Sequence, residues 1–241
     1  MKSVKTTGIV LHTVKYSETS LIVYMLTRHA GRQTYMVQGV RSPKSRTNKA
    51  ALFQPMFLLE FESLHNPAWK MSRFKDVRAI EPLQSMIFDI SKSTISLFMA
   101  ETIYRLIKES EQNEDLFDFI YHSVVALNSL KHGVANFHLW FLVKLSYFLG
   151  FYPENEYEKG DFFDVKEGCF IRHEPDHRMA LGQDKAFILS ELINIELESL
   201  DELKLSGEQR SEFLVSLLNY FAHHFDAVHN IRSVEILREV F

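Results

Sequence analysis

The chain has 241 residues, enough for one large domain or two small ones, and 46% of them are hydrophobic, as in ordinary globular proteins. Its longest strongly apolar run, LWFLV at 139–143, is too short to span a bilayer, and the N-terminus lacks the apolar stretch of a secretory signal. The single cysteine, Cys169, excludes an internal disulfide. We therefore expect a cytoplasmic protein.

The net charge of −4 is unevenly distributed along the chain. Residues 1–80 carry thirteen Lys/Arg and four Asp/Glu, a net charge of +9, whereas residues 81–241 carry a net charge of −13. Residues 37–55, VQGVRSPKSRTNKAALFQP, contain four cations and no acidic residue. Such a segment favours a polyanionic partner, although attraction between two oppositely charged domains would also explain the asymmetry.

The first eighty residues predict five short strands, because runs rich in β-branched and aromatic residues alternate with turn-forming segments. The predicted strands are 8–14, 20–27, 33–40, 56–62 and 69–80. Five strands with a long basic insertion between the third and the fourth favour a small closed barrel such as an OB-fold. An SH3-like barrel is the alternative.

From about residue 84 the hydrophobic residues recur at helical spacing, which predicts a helical domain over 81–241 after an OB-fold domain over 1–80. Residues 160–173 predict a β-hairpin within the helical domain. Ser206 and Gln209 have the spacing of a capping box at the start of a long helix. The fold class is therefore α+β, a five-stranded barrel followed by helices with a small hairpin.

The segment HEPDH at 173–177 has the letters of a zinc hydrolase motif, whose two histidines must lie one turn apart on a helix. Pro175 would break that helix. Cys169, His173 and His177 offer three ligands, whereas a closed structural zinc site needs four. No phosphate-binding glycine loop or nucleophile motif is present. We therefore assign no catalytic residue, metal or other cofactor, and a metallohydrolase is the enzyme alternative.

The cationic segment carries the functional prediction, because flexible cations interspersed with hydroxyl groups suit phosphate oxygens. Aromatic side chains on the barrel could stack nucleobases. Barrel packing is the other explanation for each tyrosine, and it is the one we prefer for Tyr24. The predicted DNA-binding residues are Arg41, Lys44, Arg46, Lys49, Arg32 and Lys15, and the candidate base-stacking residues are Tyr16, Tyr24 and Tyr35.

Seven further motifs lie at both ends and in the centre of the chain. They are GIVL (8–11), the Glu18–Thr19 turn, LTRHAG (26–31), GVRSPKSR (39–46), LFQPMFLLEFE (52–62), LGFYPE (149–154) and IRSVEILREV (231–240). Together they resemble the motifs of the bacterial recombination mediator family RecO.

The resemblance implies an OB-fold followed by a helical domain, in a nucleoid-associated protein that acts in DNA repair and homologous recombination without turnover chemistry. It implies binding of single- and double-stranded DNA and annealing of complementary strands. It also implies action with RecR to help RecA replace single-strand binding protein, whose tail docks on the helical domain of family members. Some members carry four zinc cysteines after LGFYPE, where this chain has only Cys169. An RNA-binding OB-fold module is the alternative.

Overall fold

The computed structural model describes residues 2–40, 49–65, 68–69, 71–108 and 111–241. The chain forms two compact units, residues 1–128 and residues 129–241. The predicted domain boundary near residue 80 thus falls inside the first unit, because the helices that follow the barrel pack on it. No helix among the described residues is long and apolar enough to cross a membrane.

The first unit begins with a closed barrel, as the sequence predicts. Its strands are β1 (Lys2–Lys15), β2 (Leu21–Thr27), β3 (Gly31–Val37), β4 (Leu58–His65) and β5 (Ser72–Ala79). They pair in the order β1-β2-β3-β5-β4, and β4 closes on β1. All neighbours are antiparallel except β3 and β5, which are parallel. This is the order of an OB-fold and not of an SH3-like barrel.

Aromatic rings fill the barrel because alternate residues of each strand point inward. The ring of Phe74 lies 4.3 Å from that of Tyr35 and 4.6 Å from that of Phe61, measured between centroids. A 3-10 helix, Lys49–Phe53, adds the buried ring of Phe53 between β3 and β4. This cluster holds all five strands around one core.

Three helices follow in the first unit: α1 (Gln84–Phe88), α2 (Ile90–Leu106) and α3 (Glu114–Ser129). The side chain of Asp89 caps α2 by accepting hydrogen bonds from the backbone N–H groups of Ser91 and Lys92. Two arginines of the barrel hold these helices. Arg32 on β3 donates to backbone carbonyls at the end of α2, and Arg28, in the turn before β3, pairs with Asp118 on α3.

The second unit is helical, with a small sheet inserted. Its elements are α4 (Phe137–Phe148), β6 (Phe162–Asp164), β7 (Cys169–Ile171), β8 (Ala180–Leu181), α5 (Gln183–Asn194), α6 (Gly207–His224) and α7 (Ser233–Val240). The predicted hairpin is confirmed as β6 and β7, and the predicted capping box of Ser206 and Gln209 is confirmed at the start of α6. The short helices α1 and α7 were not predicted.

A buried polar group ties the second unit together. The side-chain amide of Asn136 donates to the carbonyls of Leu200 and Leu203 at 3.0 and 2.7 Å, and its oxygen accepts from Arg210 Nε at 3.1 Å. His138, fully buried beside it, has its pKa lowered to about 3 by burial and by the charge of Arg210. The folded protein therefore holds His138 neutral.

We expect Gly31→Ala to lower the free energy of unfolding more than Gly39→Ala. Both glycines have positive φ, +58° and +73°, so alanine costs about 1 kcal/mol of backbone strain at either position. At Gly31 alone the new Cβ would lie 2.2 Å from the carbonyl oxygen of Glu111, whereas nothing lies within 4 Å at Gly39. Urea unfolding of the two variants measures the difference, and equal midpoints would contradict the tight packing at Gly31.

We expect acid to destabilise the protein partly through His138. Its folded pKa of about 3 lies below the unfolded value of 6.5, so its contribution is complete above pH 6.5 and is lost as the pH falls towards 3. The slope is about 1.4 kcal/mol per pH unit. Urea unfolding at pH 7.5, 6.5 and 5.5 measures the free energy of unfolding at each pH. This free energy should fall less steeply with decreasing pH in His138→Gln than in the wild type. Parallel pH profiles would show that His138 does not carry this effect.

Candidate nucleic-acid interface

The cationic segment begins and ends in the barrel core. Its first three predicted contacts, Arg41, Lys44 and Arg46, lie outside the described residues. Lys49 opens the 3-10 helix, and its side chain is also outside the described part. The described residues Val40 and Phe53 on either side are buried, with 3% and 2% exposure. The segment is thus anchored at both ends to the first unit.

Lys15 lies at the end of the barrel from which this segment leaves. It pairs with Leu21, and Leu21 pairs with Val37, the last residue of β3. Neighbouring strands are about 4.8 Å apart, so Lys15 lies about 10 Å from that exit. Lys15, Leu21 and Val37 thus lie opposite one another on three neighbouring strands, and we call this end of the barrel the loop end. The structure therefore brings Lys15 close to the base of the cationic segment.

Arg32 lies near the other end of β3. It is five residues before Val37, a distance of about 17 Å along the strand. Its Nη1 donates to the carbonyl oxygens of Tyr104 and Ile107 at 2.9 and 3.0 Å, and its guanidinium lies 4.3 Å from the centroid of the Tyr104 ring. Carbonyl groups at the end of a helix such as α2 have no intrahelical N–H donor, and a cation at this end also interacts favourably with the helix dipole. The guanidinium of Arg32 thus contacts the end of α2, and it also lies 5.4 Å from the ring centroid of Tyr24 on β2.

The three candidate stacking tyrosines have different surroundings. Tyr16, between β1 and β2, is 58% exposed. The ring of Tyr24 packs edge-on against Tyr104 at 5.2 Å, in agreement with the packing we preferred for it. Tyr35 was a wrong candidate, because it is 1% exposed inside the barrel and its hydroxyl bonds to Ser63 at 3.1 Å. Its position on β3 turns the side chain inward, whereas the next residue, Met36, faces out.

The structure adds two residues that the sequence analysis did not select. Arg73 on β5 pairs with Met36 on β3, and its guanidinium lies 4.3 Å from the centroid of the Trp69 ring. Both side chains are partly exposed. The pairing of β3 with β5 joins residues far apart in the sequence, so no local pattern could have indicated it. The ring of Trp69 and the charge of Arg73 form a cation–π pair one residue short of the loop end.

A groove of about 550 Å³ opens beside this pair, where β3 and β5 diverge. The strands make only two register pairs, the second between Met36 and Arg73, and β5 then continues with Asp76 at a φ of +53°. The polar and charged side chains that line the groove are Gln38, Arg73, Lys75 and Asp76, and the other lining residues are apolar. The groove is therefore continuous with the loop end and carries a cation at its edge.

Ion pairs neutralise two cations on β5. Lys75 Nζ lies 3.2 Å from Glu62, and Arg78 pairs with Glu60. The hydrogen bond that Lys75 donates to Glu62 raises the pKa of Lys75, and the bonds that Glu62 accepts from the Ser3 hydroxyl and from Lys75 lower the pKa of Glu62. Lys15 and Arg73, in contrast, contact no carboxylate among the described residues. Two cations of the described barrel that lack a carboxylate partner therefore lie at or near the loop end.

The zinc-like segment of the second unit has a different geometry from a metalloprotease helix. Residues 173–177 form bends, and His177 Nε2 lies 3.1 Å from the Asp164 carboxylate. Burial, together with nearby carboxylates, raises the pKa of the Cys169 thiol, which disfavours a thiolate ligand. Across the part of the chain that the structure describes, no three His, Cys, Asp or Glu side chains are grouped to hold a metal ion.

Comparison with known proteins gives a consistent result. The family model for the N-terminal domain of recombination protein O matches residues 1–83, and the model for its C-terminal domain matches residues 87–230. The chain is 38% identical over 239 residues to the DNA repair protein RecO of Bacteroides fragilis, which covers 98% of both chains.

Two further relatives are named DNA repair protein RecO. The protein of Phocaeicola vulgatus is 36% identical over 238 residues, with 98% of both chains covered, and that of Flavobacterium psychrophilum is 34% identical over 239 residues, with 99% covered. The barrel, the helical unit and these matches together show that the chain belongs to the RecO family of DNA repair and recombination proteins.

Proposed function

We propose that this protein binds single- and double-stranded DNA at the loop end of its barrel. The observation that supports this most strongly is the placement of charge. Lys15 lies beside the base of a segment that adds Arg41, Lys44, Arg46 and Lys49, while Lys75 and Arg78 on β5 are paired with carboxylates. Phosphate oxygens accept hydrogen bonds from such side chains and need no particular base.

Annealing of complementary strands is part of the proposal. Two strands repel each other through their phosphates, and a cationic surface that contacts both reduces the repulsion. The net charge of +9 on residues 1–80 supplies such a surface. Annealing requires positioning and charge neutralisation, so no catalytic side chain is assigned to it.

We propose protein partners for the second unit. Residues 129–241 carry eleven Lys/Arg and nineteen Asp/Glu, a net charge of −8, which opposes binding of a polyanion. Family membership supports RecR as one partner, the tail of single-strand binding protein as another, and the loading of RecA at the nucleoid as the outcome. The protein would then act as a mediator and not as an enzyme.

Arg32 has an indirect part in this proposal. Because its guanidinium is bonded to the end of α2, we propose that it supports the binding surface by holding that helix on the barrel. A direct phosphate contact by Arg32 is the alternative that the sequence analysis raised. The two roles predict different effects of a substitution that keeps the charge.

Reversing three cations of the segment, Arg41→Glu/Lys44→Glu/Arg46→Glu, should remove most of the affinity for single-stranded DNA. Each lost phosphate contact reduces the salt slope by about 0.7, so three should reduce it by about 2. Fluorescence anisotropy of a labelled oligonucleotide at several salt concentrations measures both quantities, and annealing of complementary strands should fall in parallel.

The matched control is Lys131→Glu/Lys159→Glu/Arg178→Glu, which makes the same change in net charge at exposed residues of the second unit. This variant should retain the wild-type salt slope. If the two variants lost DNA affinity equally, only the net charge would matter. An RNA oligonucleotide of the same sequence is a second control, and RNA binding as tight as DNA binding would favour a general nucleic-acid module.

Arg32→Lys should destabilise the protein and leave DNA affinity nearly unchanged under conditions where the variant is folded. Lysine keeps the charge but cannot hold two carbonyls and the Tyr104 ring in the planar geometry of a guanidinium. Loss of these charge-assisted bonds should cost about 1–3 kcal/mol in urea unfolding. Wild-type stability together with weakened DNA binding would instead assign Arg32 to the phosphate backbone.

A further inference from the structure

One outward-facing row of residues crosses four strands of the barrel in register. Val14 pairs with Ile22, Ile22 with Met36, and Met36 with Arg73. Their neighbours on the same strands, Leu21, Val23, Tyr35 and Val37, are all buried, so the row itself faces outward. Val14 is 40% exposed and the others are partly exposed. We call these four residues the outer row; it contains no carboxylate.

Helix α2 packs on the next outward row. The Tyr104 ring lies 4.7 Å from that of His12 and 5.2 Å from that of Tyr24, and the guanidinium of Arg32 stacks on it. The outer row is one step nearer the cationic segment than this helix contact, so it is the row more accessible to a ligand bound at the loop end.

The outer row ends at the only tryptophan of the described part of the first unit, Trp69, which follows β4 outside the barrel core. The Arg73 guanidinium has no carboxylate partner among the described residues and lies against the Trp69 ring. Bases stack on tryptophan rings and on the guanidinium plane of arginine in proteins that bind unpaired strands. An apolar strip that ends in such a pair has the chemistry of a nucleobase platform.

We propose that Trp69 and Arg73 form the base-stacking end of a track for unpaired DNA that runs along the outer row from Val14; this inference rests on the proposed DNA-binding function. Three interstrand steps make the track about 14 Å long. Its ligand is the unpaired nucleobase, since the base faces of a duplex are already stacked on each other. The cationic segment binds phosphates of either DNA form, and the pair adds a preference for single strands.

The fluorescence of Trp69 tests the contact directly. The chain has two tryptophans, so Trp140→Phe leaves Trp69 as the only indole. This variant is titrated with an oligothymidylate and with an oligonucleotide of equal length and charge whose sugars carry no bases, with binding followed by anisotropy of a terminal label. Oligothymidylate should quench the Trp69 emission, and the abasic strand should bind without quenching.

Binding affinity is a second readout that does not need the Trp140→Phe substitution. It therefore applies even if that substitution disturbs the second unit. Trp69→Ala should weaken binding of oligothymidylate by about five-fold to a hundred-fold, the usual effect of removing one stacked base, and leave the affinity for the abasic strand unchanged. Phe88→Ala is the control, because Phe88 is an aromatic residue of the same unit that is 85% exposed at the end of α1. It should change neither affinity.

The outcomes separate this inference from the proposed function. Suppose that Trp69→Ala binds each oligonucleotide as tightly as the wild type does, and that neither oligonucleotide changes the Trp69 emission. DNA binding then stands and the stacking track is overturned. If neither oligonucleotide binds at low salt, the proposed function and the track are both wrong. Quenching by the bases alone, together with a base-dependent loss in Trp69→Ala, supports the track.

Discussion

The hydrogen bonds from Arg32 to the end of α2 hold this helix against the barrel. They accompany the packing of Tyr104 on His12 and Tyr24 of one outward row. The barrel and the first three helices therefore form one unit, and the loop end lies away from this helix contact. Under the proposed function, Arg32 supports the DNA-binding surface by holding the helix in place.

Charge pairing selects the same surface by a separate route. On β4 and β5, Glu60 and Glu62 neutralise Arg78 and Lys75, while Lys15 and Arg73 lack such partners in the described chain. Surface ion pairs of this kind add little to stability. Their effect is on the electrostatic field, because they reduce the positive potential on this face of β4 and β5.

Local patterns in the sequence predicted the five strands, the hairpin and the capping box at Ser206, because each depends on neighbouring residues. The side facing the core was harder to predict: a shift of one residue decides that Tyr35 is buried and Met36 is outside. The contact between Met36 and Arg73 and that between Arg32 and α2 join distant segments, so no spacing in the sequence encodes them. Both shape the surroundings of the candidate site, so the sequence could nominate cations for that site but could not indicate which neighbouring residues surround them.

The most direct test of this account is amide hydrogen exchange of the full-length protein with and without a saturating single-stranded oligonucleotide. We expect slower exchange in the presence of DNA at the loop end, over residues 13–22 and 35–53, and at the start of β5. Exchange in α4 to α7 should remain unchanged. Protection confined to the helices of residues 129–241, with none on the barrel, would contradict the account.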